Sequence, residues 1–284
     1  MSISLGESIQ CRSLTLVNTF IYPNQTISAK VDVEVVSMHK VKIEICSGSA
    51  ADAIEAAKGN ATRVELCSSL FLGGLTPSIG SLQSVKKHTD IDVMAMVRPR
   101  EGGFCYTDVE YETVLLDAVN LLQHGADGLV FGFLHQDGTI DVDKTAELVS
   151  LAGDKETCFH RAFDVVSDWK RALDQLIEIG VTRVLTSGLM PQVMEALDTI
   201  KEMVDYADGR IEILPGGGIR PPFVRHVVEM TGVDQVHLTL HRLAYDRSTG
   251  GNSAIHFGGA LYPPEDRYKV TDAEAVKRLI EEVK

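Results

Sequence analysis

The sequence is short of positive charge. Its 27 Lys and Arg residues stand against 40 Asp and Glu residues, which gives a formal net charge of −13 at pH 7. Nonspecific binding to nucleic acids and to anionic lipid surfaces depends on clustered Lys and Arg side chains. The deficit therefore argues against a nucleic acid or a membrane as the partner.

Cysteine is scarce as well, and long apolar runs are missing. The chain has five cysteines in 284 residues, an odd number, and at this length it can bury a core without disulfide staples. The most apolar stretch near the start, residues 14–22, is interrupted by polar side chains and is too short to span a bilayer. The only early base is Arg12, so we expect no signal peptide. These features favour an intracellular protein.

The order of the predicted elements indicates an α/β fold. From Val41 onward, short runs of β-branched residues alternate with helical stretches, which is the pattern of a parallel sheet with crossover helices. The eight predicted strands cover residues 41–47, 63–68, 92–98, 128–134, 157–162, 183–187, 211–215 and 235–240. Helices are predicted to begin near Ser49, Pro77, Asp108, Asp141, Asp168, Pro191 and Pro222, and a last helix covers 271–283. Eight strand–helix pairs without a linker favour a single-domain (β/α)8 barrel, the TIM-barrel architecture, over residues 41–284, with an open doubly wound sheet as the alternative.

Residues 1–40 differ from the rest because they hold no clear helical period. We expect an N-terminal extension that is partly ordered or disordered. Within it, residues 31–36 alternate between apolar and polar side chains like a strand. This segment either covers the floor of the barrel or belongs to a loosely ordered arm.

The predicted strands send an unusual set of side chains into the barrel. Because side chains alternate along a strand, Glu44 and Cys46 point into the lumen on the first strand, and Glu65 and Cys67 do so on the second. The same alternation directs Lys42, Arg63, Met94, Met96, Arg98, Cys158, His160, His237 and Thr239 inward, and it directs Arg161 outward. Barrel interiors are usually filled by branched apolar residues. Such a polar lumen is either a network of internally satisfied ion pairs or a functional site.

One functional interpretation is a metal site. Cys46 and Cys67 occupy equivalent positions on neighbouring strands about 5 Å apart, so their sulfurs could approach one soft cation. Thiolates with thioether or imidazole neighbours select Cu(I) over hard ions. The two cysteines follow no fixed metal-binding spacing, so a pair of inert core thiols and a disulfide are both open alternatives.

The other interpretation is an enzyme site at the carboxyl ends of the strands. Glu44 and Glu65 are candidates for the catalytic acid and base, Arg98 for an anion clamp, and His160 for a proton carrier. Such a site would act on a small anionic, and perhaps phosphorylated, metabolite.

Further anion-binding candidates lie in two loops. Arg100 is a second clamp, and the turn formed by Gly216, Gly217 and Gly218 precedes a helix, where backbone N–H groups can approach an oxyanion. The alternative for the glycines is a tight connection between strand and helix.

Several long segments also resemble a known family. VELCSSLFLGGLTPSIG from Val64, MVRPREGGFCYTD from Met96, CFHRAFD from Cys158 and ILPGGGIR from Ile213 resemble the CutC copper-homeostasis family, as found in its animal homologues. They occur in the same order and spacing. In place of the family's Arg-Pro-Arg-Gly-Gly-Asp-Phe, this chain has Glu101 and Gly103 after Arg98-Pro-Arg, which displaces the acidic residue.

The resemblance implies a (β/α)8 barrel that takes part in copper homeostasis. It also implies a cytoplasmic location, in animals also a nuclear one, and a homo-oligomer. Cu(I) would be held by two strand-end cysteines, which match Cys46 and Cys67 here.

Overall fold

The computed structural model describes residues 14–22, 25–33, 41–252, 254–257 and 265–283. The chain divides into two compact units, Met1–His39 and Lys40–Lys284. In the first unit, β1 (Leu14–Tyr22) and β2 (Gln25–Val33) form an antiparallel pair in which Tyr22 lies opposite Gln25. The strand predicted over 31–36 is described only as far as Val33, at the end of β2, and its remainder lies outside the described residues.

The second unit contains a barrel of eight parallel strands. These are β3 (Lys42–Ser47), β4 (Arg63–Leu66), β5 (Asp92–Met96), β6 (Gly128–Phe131), β7 (Glu156–Phe159), β8 (Arg183–Thr186), β9 (Glu212–Pro215) and β10 (Gln235–Leu238). Neighbouring strands follow chain order from β3 to β9, and β10 pairs with β3. A parallel bridge between Gly216 and His237 joins the other side of β10 to the end of β9. The sheet thus closes on itself, which confirms the predicted (β/α)8 barrel.

A helix follows each barrel strand. The helices are α1 (Ala50–Lys58), α2 (Ile79–His88), α3 (Asp108–Gln123), α4 (Val142–Ala152), α5 (Trp169–Ile179), α6 (Leu197–Ala207), α7 (Val224–Thr231) and α8 (Ala273–Glu282). Side chains cap most of their N-termini. The first turn of α3 has a full capping box, in which the Thr107 hydroxyl accepts from the Glu110 N–H and the Glu110 carboxylate accepts from the Thr107 N–H. None of the helices in the described part of the chain is long and apolar enough to cross a membrane.

Each barrel strand begins within one residue of its predicted start. Several strands end earlier than predicted, however, and one helix begins later. Strand β5 ends at Met96, because the backbone N–H of Arg98 turns away and donates to the Thr76 hydroxyl at 3.0 Å. The helix predicted near Pro191 begins at Leu197, because the Val193 N–H is bound to the Gly217 carbonyl of the next loop and a 3-10 turn forms first.

An antiparallel hairpin was not predicted. It consists of β11 (His241–Tyr245) and β12 (Arg267–Thr271), between the last barrel strand and the last helix. The backbone N–H of Thr271 donates to the Asp52 carboxylate at 2.7 Å, which ties the hairpin to the start of α1.

The buried residues form two layers. Ile43, Ile45, Val64 and Leu66 belong to the layer between the strands and the helices, where they are fully buried. A smaller apolar cluster fills the lumen and consists of Cys67, Met94, Met96, Val130, Cys158, Leu185 and Leu214. This separation matches the predicted alternation, and it leaves the polar inward-facing residues at the two ends of the lumen.

Candidate functional site

Two thiols and one carboxylate meet at the carboxyl end of the first two barrel strands. The Sγ atoms of Cys46 and Cys67 lie 3.3 and 3.4 Å from the same oxygen of Glu65. One ligand atom from each of these three side chains lies within 4.8 Å of the other two, and all three residues are buried. The described residues therefore contain a preformed group of soft and hard donors, here called the thiol–carboxylate cluster.

The cluster corrects one expectation. The two cysteines do not occupy equivalent positions, because Cys46 pairs in register with Glu65, and Cys67 lies two residues further along. Neighbouring strands of a tilted barrel are displaced along their length. Glu65, predicted as a catalytic acid or base, consequently lies between the thiols.

A second set of charged groups supports the cluster from the side of β10. His237 Nδ1 lies 2.7 Å from Glu44 Oε1, and the other oxygen of Glu44 accepts a hydrogen bond from Arg63 Nε. Arg63 also donates to Gln235 Oε1 at 2.9 Å. Burial alone would raise the pKa of Glu44, but the charge of Arg63 and the hydrogen bond with His237 hold the pKa at about 2. Glu44 is thus a fixed anion that orients the imidazole.

His237 was not among the predicted site residues, although the alternation placed it in the lumen. Its Nε2 atom lies 3.8 Å from Glu65 Oε2. In a closed barrel the last strand pairs with the first. The sequence therefore already implied that His237, on the last strand, lies beside Glu44 on the first.

The pKa values of the cluster are shifted in opposite directions. Hydrogen bonds with Cys67 and then with His237 lower the pKa of Cys46, against the effect of burial. Burial and the charge of Cys46 raise the pKa of Glu65. The pKa of Cys67 is raised first by its hydrogen bond with Cys46 and second by burial. Burial would lower the pKa of His237, but the charge of Glu65 and hydrogen bonds with Cys46 and Glu44 raise it. The arrangement favours a thiolate at Cys46 and a protonated thiol at Cys67.

A cavity of about 270 Å³ lies beside the cluster. It is lined by Cys46, Glu65, Gly73, Met96, Arg98, Phe104, His160, Arg161, Leu185 and His237. A larger cavity of about 780 Å³ shares Cys46 and Gly73 with it and extends toward Tyr268 of the hairpin. The candidate site is therefore reachable from the carboxyl end of the barrel, the end at which barrel enzymes bind their substrates.

His160 forms part of the cavity wall and is buried, with 4% of its surface exposed. Burial and the charge of Arg98 lower its pKa to about 3, so the ring is neutral. The Ala162 N–H donates to Nδ1 at 3.2 Å, which places the ring proton on Nε2. That Nε2 atom is buried and has no hydrogen-bond partner within the described ranges.

Arg98 lines the same cavity and is 6% exposed. Its two terminal nitrogens donate to the carbonyl oxygens of Leu72, Gly74 and Gly102 at 2.9–3.0 Å. Its Nε atom is buried without a partner among the residues described. Arg98 thus holds two loops in place.

The ring of Phe104 lies between these two residues. Its centroid is 5.3 Å from the guanidinium carbon of Arg98 and 4.8 Å from the centroid of the His160 ring. Phe104 belongs to the loop that follows β5.

The structure does not bring Arg100 to this cavity. Its guanidinium pairs with Glu110 at 2.5 Å, and its remaining nitrogens donate to carbonyl oxygens of its own loop. Glu110 is the residue that closes the capping box of α3. Arg100 therefore fastens the loop to the helix.

The predicted glycine turn, formed by Gly216, Gly217 and Gly218, has a structural role in the loop after β9. Gly216 bridges to His237, and a Cβ atom there would lie 2.6 Å from Leu185 Cδ1. Gly217 and Gly218 have φ values of 126° and 73°, which side chains rarely adopt. None of the three lines the 270 Å³ cavity.

The expectation that Arg161 faces outward from a strand was wrong. Strand β7 ends at Phe159, and Arg161 begins a 3-10 turn, so strand alternation no longer applies to it. Its guanidinium pairs with Asp164 at 2.7 Å, donates to the Ser187 hydroxyl at 2.7 Å and reaches the cavity wall.

The fold and the site define an α/β-barrel protein with a buried thiol–carboxylate cluster at the carboxyl end of its strands. Comparisons with known proteins agree with this class. The sequence pattern of the CutC family matches residues 41–242. A CutC family protein of Treponema denticola is 52% identical over 243 residues, which cover 86% of this chain and 99% of the relative. The human copper homeostasis protein cutC homolog is 40% identical over 237 residues, which cover 84% and 87%.

A solved structure gives the same result. The crystal structure of the CutC protein from Streptococcus agalactiae matches with a TM-score of 0.67 and 35% sequence identity, covering 69% of this chain and 97% of that one. The chain belongs to the CutC family, which confirms the resemblance seen in its sequence.

Proposed function

We propose that this protein binds Cu(I) at the barrel mouth through Cys46 and Cys67 and thereby takes part in copper homeostasis. The observation that carries the proposal is the thiol–carboxylate cluster, in which both sulfurs and the Glu65 carboxylate lie within 4.8 Å of one another. Thiolates are the ligands that select Cu(I), and the lowered pKa of Cys46 favours its thiolate. The names of the human and mouse relatives, copper homeostasis protein cutC homologs, support the same role.

The surroundings fit a bound cation. Metal sites commonly include residues that hydrogen-bond to the ligands and orient them. His237, which is itself hydrogen-bonded to Glu44, lies beside Glu65 in such a position. When bound, Cu(I) would supply one positive charge, which compensates one of the two thiolates. Cys67 would lose its proton on metal binding, and Glu65, whose pKa is raised, would be the nearby acceptor of that proton.

Anaerobic titration of the reduced full chain with Cu(I), in competition with a chelator of known affinity, tests the site. We expect one tightly bound Cu(I) per chain and a loss of at least about a hundredfold in affinity when Cys46→Ser and Cys67→Ser are combined. Cys158→Ser is the matched control, since Cys158 is a buried lumen thiol outside the cluster. Equal affinity in the double variant and the wild type would reject the site.

The same proposal includes a reducing compartment and an assembly of identical subunits. All four cysteines in the described residues are free thiols. We place the protein in the cytoplasm, with the nucleus as a second location, and as a homo-oligomer. Fluorescence microscopy of the tagged protein and sedimentation analysis of the purified chain check these two points.

A second candidate function is an enzyme acting on a small anionic metabolite. It is favoured by the observation that three of the four predicted catalytic residues, Glu65, Arg98 and His160, line one cavity. Wild type and Glu65→Gln would be incubated with a cell metabolite extract and followed by mass spectrometry. A compound consumed only by the wild type supports this function, whereas no Glu65-dependent change contradicts it.

A further inference from the structure

Two free thiols lie side by side in the thiol–carboxylate cluster. The Sγ atoms of Cys46 and Cys67 are no more than 4.8 Å apart, and they lie 3.3 and 3.4 Å from the same oxygen of Glu65. The two thiols are also hydrogen-bonded to each other. The carboxylate therefore bridges the sulfurs without shielding one from the other.

The position of Cys67 allows the two sulfurs to approach. Cys67 directly follows the last residue of β4 and begins the loop that contains Gly74. A Cβ atom at Gly74 would lie 3.1 Å from Cys67 Sγ, so the glycine leaves space beside the sulfur. A disulfide needs a sulfur–sulfur distance of about 2.0 Å. Rotation of the two side chains and a small shift of the loop close the remaining gap.

The two sulfurs differ in their access from outside. Cys46 is 8% exposed and lines both cavities at the barrel mouth, whereas Cys67 is 1% exposed and lines neither. Oxidation of a cysteine depends on the exposure of its sulfur. A small oxidant that enters the mouth therefore meets Cys46 first, and Cys67 is the second thiol, which reacts with the oxidised Cys46.

The other two cysteines in the described part of the chain are not placed for this reaction. Cys158 is 2% exposed and lines neither cavity. Cys105 is exposed and belongs to the loop after β5. Neither is a member of the thiol–carboxylate cluster. They serve as internal references for the pair.

We propose that Cys46 and Cys67 form a redox pair, which a small hydroperoxide such as hydrogen peroxide converts to a disulfide. The Cys46 sulfur attacks one peroxide oxygen, the O–O bond breaks, and the departing hydroxide takes the thiol proton and leaves as water. The product is a sulfenic acid at Cys46. The Cys67 sulfur then attacks the sulfur of Cys46, the S–O bond breaks, and hydroxide leaves with the Cys67 proton as a second water.

Electrons and protons balance in this sequence. The two sulfurs lose two electrons in total, and the peroxide is reduced by the same two electrons. Glu65 contacts both sulfurs and is the group that carries each proton to the departing oxygen. A dithiol reductant reverses the reaction by thiol–disulfide exchange.

The pair would regulate the proposed copper site. Cysteine binds metals as a thiolate, and a disulfide contains none. Oxidation would therefore prevent Cu(I) binding, and reduction would restore it. This consequence rests on the proposed function, whereas formation of the disulfide does not.

The disulfide is tested in the reduced, copper-free full chain. The protein is treated with a small molar excess of hydrogen peroxide, its remaining thiols are blocked with N-ethylmaleimide, and its peptides are mapped by mass spectrometry without reduction. We expect a linked pair of peptides that contain Cys46 and Cys67, which dithiothreitol separates. Two unlinked thiols, or a bond from either sulfur to any other cysteine, would overturn the proposal.

Variants then test the order of the two steps. Cys67→Ser should stop at the sulfenic acid of Cys46, which dimedone traps. Cys46→Ser should form no disulfide and should consume peroxide at least about tenfold more slowly than the wild type. Cys158→Ser, the matched control, should form the disulfide as the wild type does. Dimedone labelling of Cys67 in Cys46→Ser at the wild-type rate would refute the order. If a variant fails to fold, the peptide map of the wild type still decides whether the pair exists.

The copper consequence is scored separately. After removal of the peroxide, the oxidised chain and the reduced chain are each titrated anaerobically with Cu(I). We expect the oxidised chain to bind Cu(I) at least about a hundredfold more weakly. Equal affinity despite a complete disulfide would reject the regulation and the proposed copper site, while the redox pair itself would stand. Cu(I) binding that needs both cysteines, without a disulfide in peroxide, would reject the redox pair and leave the copper site intact.

Discussion

Replacing Arg63 by methionine removes the positive charge that faces Glu44 inside the barrel. The two side chains are only 7% and 5% exposed, so water cannot replace the guanidinium. Arg63 also donates to Gln235, and that acceptor loses its partner as well. Removing one member of a buried ion pair costs about 3–5 kcal/mol, because the other charge stays buried without compensation.

The pKa of Glu44 leads to a similar magnitude. It lies at about 2 in the folded protein, against 4.5 for the ordinary side chain, because the charge of Arg63 and the hydrogen bond with His237 outweigh the effect of burial. A difference of about 2.5 units corresponds to about 3 kcal/mol. Since the folded pKa is the lower one, this stabilisation is fully present above pH 4.5 and is lost as the pH falls toward 2.

Equilibrium unfolding in urea measures the effect. At pH 7 we expect the free energy of unfolding of Arg63→Met to be lower than that of the wild type by about 3–5 kcal/mol. At pH 3.5 the difference should shrink by at least about 1 kcal/mol, because Glu44 in the variant has lost Arg63 and becomes protonated there, whereas the wild type has already lost part of the stabilisation that its ionised Glu44 provides.

The matched control is Lys58→Met, which breaks the pair with Glu55 on α1. The side chains of this pair are 62% and 23% exposed. Its loss should cost no more than about 1 kcal/mol. The reasoning fails if Arg63→Met loses no more stability than Lys58→Met, or if the loss is the same at both pH values.

Three further predictions concern single side chains. Gly132→Ala would place a Cβ atom 2.4 Å from the His160 ring and should destabilise the protein by about 1–3 kcal/mol in urea unfolding, whereas Gly103→Ala, with nothing within 4 Å, should not. Thr107→Ala removes the hydroxyl of the α3 capping box and should lower stability by about 1 kcal/mol; Thr107→Ser should restore most of it, and equal losses would argue against the cap. Burial and the charge of Arg98 lower the pKa of His160 to about 3, so its stabilisation is present above pH 6.5 and is lost toward pH 3, and its ring resonances should not titrate above pH 5. A titration midpoint near pH 6 would contradict this neutral ring.

The sequence alone predicted much of the candidate site. Glu44, Cys46, Glu65 and Cys67 were placed in the lumen by strand alternation, and all four are buried there. That prediction succeeded because alternation is a local property of a strand. It did not reveal that Glu65 lies between the two sulfurs, because the displacement of neighbouring strands depends on closure of the whole barrel.

Residues in loops were predicted less well. Arg100 looked like an anion clamp, but Glu110 on α3 holds it away from the cavity. The direction of Arg161 was wrong because the strand ended sooner than its pattern of side chains indicated. In both cases a contact outside the strand decided where the side chain lies.

The sequence by itself determined the class of fold, the family and the face on which each strand residue lies. These depend on short-range patterns of apolar and polar residues and on segments shared with relatives. Only the tertiary structure decided which inward-facing groups meet, which charges are paired and which are left alone. Closure of the barrel brings His237 to Glu44 across 193 residues of chain, and the loops after β4 and β5 hold the guanidinium of Arg98 through their carbonyl oxygens. Such pairings arise from strand register and loop packing, which are set by contacts between distant segments.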